Sequence, residues 1–171
     1  MRTVDFPNWQ AFLQHLELFF SKRPDDREGF VFRGQADAQW ELDSTLQRFV
    51  RLHCSGEDEA AVSTRLRAKF RELSAGQPDD PGPLDPLQFE LLARHHGLPS
   101  NFIDWTRSPY VAAYFAYADA LHDTSVKPAK LAIWAIDLSS VGASDPLEVV
   151  QGYDAVRINP RAVEQQAVFL R

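Results

Sequence analysis

An α+β or mixed α/β domain is the fold class that the sequence predicts, and three observations predict it. Trp9, Phe12, Leu13, Leu16, Phe19 and Phe20 recur at helical spacing. The run "KLAIWAIDL" is short and almost wholly apolar, the pattern of a buried strand. Between them, "RHHGLPSNFIDWTRSPYVAAYFA" (Arg94 to Ala116) changes from helix to strand to helix, with Gly or Pro at each join.

Taken in order, residues 8 to 21 read as an amphipathic helix, and "SKRPDDREG" as a polar turn. "FVFRG" reads as a short strand that Gly34 ends. Val62, Leu66, Phe70 and Leu73 mark a helix over residues 57 to 74, followed by the Pro-rich loop "GQPDDPGPLDP". Asp85 offers an N-cap, Pro86 suits the first turn, and Leu87, Leu91 and Leu92 give the next helix an apolar face. Gly97 sits where a left-handed residue closes a helix, and Pro99 prevents continuation. "NFIDW" is a strand, Ser108-Pro109 starts another helix, and Tyr114 and Phe115 are expected to pack inward. "KLAIWAIDL" is expected at the centre of the sheet, with "LEVVQ" and "QAVFL" as weaker strands after it.

The chain of 171 residues suits one domain with a continuous core. Apolar residues make up 44% and charged residues 25%, the balance of a globular protein. A net charge of −6 opposes nucleic acid and anionic membrane. Arg48, Arg51, Arg65, Arg67, Lys69 and Arg71 form a local basic excess, but interspersed acids make an exposed helical face the simpler account. Cys54 is the one cysteine, so there is no internal disulfide and no Cys-based metal cage. No metal is expected, since His15, His53 and His122 are scattered. No apolar run approaches the ~20 residues that span a bilayer, and the N-terminus lacks the layout of a signal peptide. A cytoplasmic setting is therefore expected.

His95, His96, Asp104, Thr106, Arg107 and Ser108 crowd a strand and the helix that follows it, where free N–H groups favour anions. Adjacent His residues on a helix point about 100° apart, so one should face inward and one outward. Asp104 sits in an apolar strand context, where a carboxylate needs partners; it either lines a site or is a buried acceptor fixing the loop. Arg33 either meets a ligand or forms a buried ion pair, with Asp104 as the candidate partner.

"FRGQ" (Phe32 to Gln35), "WELDSTLQR" (Trp40 to Arg48), "ARHHGLPSNFIDWTRSPYVAAYFA" and "NPRAVEQQAVF" resemble the successive motifs of the FRG domain, a bacterial and phage family named for its Phe-Arg-Gly signature. The resemblance runs from residue 28 to 171, leaving residues 1 to 27 as a helix and turn. The family usually continues past its Gln-Gln-x-Phe motif, so a trimmed domain or a short member is expected. Ala167 stands where Gly is usual.

The order of a strand with Arg, a strand with Thr-x-Ser-Pro and helix, then a strand with an acidic or amide pair is similar to the ADP-ribosyltransferase fold. That resemblance implies an α+β domain with a mixed, mostly antiparallel split sheet and flanking helices. It implies NAD as substrate, and a macromolecular acceptor that the sequence does not identify. Arg33 would hold NAD, Thr106 and Ser108 would support the nicotinamide ribose, and Glu164 or Gln166 would stand where a Glu assists cleavage. Gly34, Gln35, His95, His96, Asp104 and Gln165 are the further contacts it implies. Cleavage passes through an oxocarbenium-like state that a carboxylate stabilises, and Gln165 and Gln166 offer no charge. Glu164 and Asp104 are the alternatives. Three functions follow as expectations: an NAD-consuming enzyme, a non-catalytic module that keeps the pocket, and a nucleic-acid-binding domain.

Overall fold

The computed structural model describes residues 2–22, 29–77, 84–122, 130–142, 148–151 and 167–171. Helix α1 (Trp9–Ser21) starts where the Asn8 side chain accepts from the Ala11 amide, and its apolar stripe turns toward strand β1 (Phe30–Gln35). Helix α2 (Thr45–His53) is opened by a capping box. The Ser44 hydroxyl accepts from the Gln47 amide while the Gln47 side chain accepts from the Ser44 amide. Helix α3 (Glu59–Ser74) begins two residues later than its periodicity suggests, because Asp58 caps it. Helix α4 (Pro86–His95) carries the expected Asp85 cap and ends at Gly97, whose φ of 85° is left-handed.

Strand β2 (Ile103–Thr106), helix α5 (Pro109–His122), and strands β3 (Ala132–Asp137), β4 (Val149–Gln151) and β5 (Ala167–Leu170) complete the described elements. The fold is α+β. Five strands run in the order β3-β1-β2-β5-β4, and every neighbouring pair is antiparallel. No helix among the described residues is long and apolar enough to cross a membrane.

The register fixes which residues share a face. Phe30, Phe32 and Gly34 turn toward α1 and α5, with Phe19, Phe20 and Ala112 packed against the two phenylalanines. Val31 turns the other way and joins Trp105, Val168 and Leu170 in a second cluster, edged by Trp134 and Ile136. A third cluster places Leu91 of α4 against Phe102, Val150 and Phe169.

Two sequence expectations are overturned here. Strand β3 is at an edge of the sheet, not its centre. Its run looks fully buried because Ile133 packs toward the helices while Trp134 and Ile136 pack on the opposite cluster. Tyr114 and Phe115 are exposed, at 68% and 38%. What α5 buries instead is Ala112, Ala113 and Ala116, because its backbone lies directly on β1. A Cβ at Gly34 would stand 1.9 Å from the Ala112 carbonyl oxygen, a distance that no packed structure tolerates. The helix is too close to the strand to admit aromatic side chains between them.

Gly34→Ala is accordingly expected to destabilise the fold by about 1–3 kcal/mol, the usual cost of overpacking. Urea unfolding measures it, and an unchanged midpoint would contradict the close seating of α5.

Candidate functional site

Arg33 is the side chain around which the candidate site is built. It follows Phe32, which pairs with Thr106 at the registered contact between β1 and β2. Beyond that pair the link between the strands passes through a side chain: Arg33 Nη1 donates to the Asp104 carbonyl oxygen at 2.8 Å. The carboxylate of Asp104 does something else. It pairs with the Arg94 guanidinium, which comes from the last turn of α4 and lies over the Phe169 ring, 5.0 Å from its centroid. Two arginines thus converge on one residue, one at its main chain and one at its side chain.

Burial divides this group unequally. The Arg94 side chain is 19% exposed and that of Asp104 is 56% exposed. Arg33 is half-buried. The Nε atoms of both Arg33 and Arg94 are buried and have no hydrogen-bond partner among the described residues, and the same holds for the indole nitrogen of Trp105, between Asp104 and Thr106. Burial lowers the Arg33 pKa from its ordinary value. Asp104 opposes that shift, the positive charges of Arg48 and Arg94 add to it, and Asp119 on α5 opposes it weakly. The fork itself joins two guanidinium groups and one carboxylate, with Arg48 and Asp119 acting on Arg33 through their fields. Arg48 is steadied by donation to the Asp43 carbonyl at 3.2 Å.

The other residues singled out in the sequence are distributed as follows. Gln35 is buried, and its amide is engaged at both ends: it accepts from the Trp134 indole and donates to the Glu41 carbonyl at 3.0 Å. Gly34 gives its open space to α5. Thr106 is buried, and its hydroxyl oxygen accepts from the Ser108 amide at 3.1 Å. Ser108 caps α5, accepting from the Val111 amide at 3.3 Å. It also lines a groove of about 250 Å³ against Leu16, Glu17 and Phe20 of α1. Arg33 is not among the residues lining that groove.

His95 and His96 are both exposed, so the expected inward–outward split does not occur. His95 is the last helical residue and His96 the cap, where helical spacing no longer governs direction. The His96 ring sits 5.8 Å from that of Phe70 on α3. Asp104 is not the buried acceptor that its apolar neighbours suggest, because its strand turns the carboxylate out beside α4. Glu164, Gln165 and Gln166 lie outside the described residues.

Sequence reasoning missed Arg94, although it opens the motif containing the two histidines. Its position in the last turn of a helix, ten residues before Asp104, was the available signal. The basic run after Arg48 is largely matched by acids. Arg51 pairs with Asp43, Arg65 with Glu57 at 2.7 Å, Arg67 with Glu90 at 3.5 Å, and Lys69 with Glu72 at 2.9 Å.

An antiparallel sheet backed by helices, with arginines gathered where its first two strands part, defines an α+β domain with a basic fork. The chain belongs to the FRG domain family, whose model matches residues 28–125, more than half of its length. Arg33, Arg48, Arg94, Asp104 and Asp119 all fall inside the match, whereas Glu164, Gln165 and Gln166 fall beyond it. No curated protein and no solved structure matches the chain.

Since the Ser108 hydroxyl caps α5, Ser108→Ala is expected to lower stability by about 1 kcal/mol. Thermal or urea unfolding reads this directly, and an unaltered transition would remove the capping role.

Proposed function

We propose that this FRG domain binds an NAD-type dinucleotide, with the diphosphate held at the fork of Arg33 and Arg94. The observation that carries the reading is the convergence of two guanidinium groups on one residue: Arg33 at the carbonyl of Asp104 and Arg94 at its exposed carboxylate. Guanidinium groups bind phosphate oxygens through paired N–H donors, and such charge-assisted bonds are about twice as strong as neutral ones. The resemblance of the strand-and-helix order to ADP-ribosyltransferases supports a dinucleotide as the ligand, by analogy of fold alone.

Within this reading, binding without turnover is the better-supported function. Cleavage of the nicotinamide–ribose bond requires a carboxylate free to face the developing positive charge. Asp104 is paired with Arg94, on the phosphate side of the proposed site and not at the ribose, and Gln165 and Gln166, at the place where the resemblance puts a Glu, carry no charge.

Calorimetry with purified protein tests the proposal. Saturable NAD binding is expected, weakened about 10- to 100-fold in Arg33→Ala, the loss that follows from one or two charged hydrogen bonds. Nicotinamide release, followed chromatographically with and without cell extract as acceptor source, is expected to be absent. Release abolished by Arg33→Ala would replace the binding reading with the enzyme reading. If NAD neither binds nor is consumed, both fall.

A further inference from the structure

The Arg94–Asp104 pair is asymmetric in a way that points to a role in ligand choice. Arg94 is the fixed member. Its side chain is largely buried, rests over the Phe169 ring, and rises from a helix that packs Leu91 into the core. Asp104 has a main chain held in the sheet and an exposed side chain. Its backbone is paired with Phe169 of β5 and its carbonyl receives Arg33. Its carboxylate is more than half exposed, and Arg94 is the side-chain partner found for it among the described residues. Rotation of that carboxylate into water breaks one contact, and an ion pair with an exposed member is weak.

We infer that the Asp104 carboxylate is an internal competitor for the arginine fork, occupying Arg94 until a ligand phosphate displaces it, so that the site selects multiply charged phosphate ligands over single anions. This rests on the reading of the fork as a phosphate site. The charges set the selectivity. With Asp104 in place, its carboxylate takes up the positive charge of Arg94, while Arg33 beside it meets only a carbonyl. A single anion that displaces Asp104 exchanges one negative charge for another and gains little. A diphosphate brings further charge and further acceptor oxygens, so it meets the guanidinium of Arg33 as well as that of Arg94. The Arg33 anchor survives the exchange because it holds the main chain of Asp104, not its side chain.

The experiment uses the full chain, with inorganic pyrophosphate and the singly charged dimethyl phosphate as probes, by calorimetry at fixed low salt. Asp104→Asn keeps the shape of the side chain and the carbonyl that receives Arg33. It is expected to bind pyrophosphate about fivefold more tightly than the parent and to gain measurable binding of dimethyl phosphate. Asp104→Glu, which keeps the charge, is expected to gain neither. Asp104→Ser serves equally where circular dichroism shows that Asn perturbs the fold. Unchanged or weaker pyrophosphate binding in the uncharged variants overturns the competitor role. If the parent nevertheless binds NAD in an Arg33-dependent way, the phosphate site stands without it. Absence of binding of NAD and of pyrophosphate by parent and variants alike removes the site itself.

Discussion

The Arg33 guanidinium reaches the Asp104 carbonyl at the point where β1 and β2 leave their registered pair, and the far half of the sheet hangs on that crossing. Among the described strands, β5 pairs with β2 and β4 pairs onward from β5, so the placement of β2 bears on both. A hydrogen bond from a charged donor contributes about 1.5–3 kcal/mol, more than a neutral rung of a ladder. The neighbours of Arg33 explain why it stands there. Phe32 enters the core beneath α1 and pairs with Thr106, while Gly34 admits the backbone of α5. Three consecutive residues thus seat a core ring, bridge a fork and clear space for a helix, and the pleat sends the middle one to the opposite face.

Helix α4 carries two ion-pair groups of opposite construction. Glu90 is buried, and its carboxylate meets Arg171 at 3.1 Å and Arg67 at 3.5 Å, both arginines being more exposed than the acid. Arg171 also meets Glu148 at 2.6 Å, so this group ties the end of β5 to α3, α4 and the start of β4. Around Asp104 the acid is exposed and its arginine partner is buried. A buried acid between exposed bases is a strut, since removing a base leaves an uncompensated charge inside. An exposed acid against a buried base has the reverse bias: water can take the acid back, and the base remains.

Much of the local structure was legible in the sequence because its causes are local. The Asp85-Pro86 start, the Gly97 stop and the Ser108 cap each act within a few residues, and all three are found. What was not legible depends on contacts distant in sequence. The edge position of β3 follows from its pairing with β1 about a hundred residues earlier, as in Arg33↔Trp134. The outward turn of Tyr114 and Phe115 follows from Gly34, which lies on another element. Helix α2 went unread because its apolar stripe is short, although its Ser44-Gln47 capping box was visible. In the candidate site, Arg33 and Asp104 were legible as partners, but not that the carbonyl receives one arginine and the carboxylate another.

The two histidines and Ser108 mark the limits of reading proximity in sequence as convergence in space. They share one motif with Asp104, yet each is directed by the element that ends or begins beside it. His96, past the last residue of α4, lies beside Phe70 of α3, His95 stacks edge-on against His96, and Ser108 turns back into the first turn of α5. Arg33, some seventy residues away, is what Asp104 meets. The fork is therefore assembled by the sheet, while the neighbouring helix ends take care of their own unsatisfied groups. Polar density beside a strand end is expected of any such junction. Among the described residues, the donors that remain without an acceptor after helix and strand are complete are the Nε–H groups of Arg33 and Arg94, the indole of Trp105 and the Ser100 hydroxyl. Of these, only the two arginines meet at one residue, Asp104.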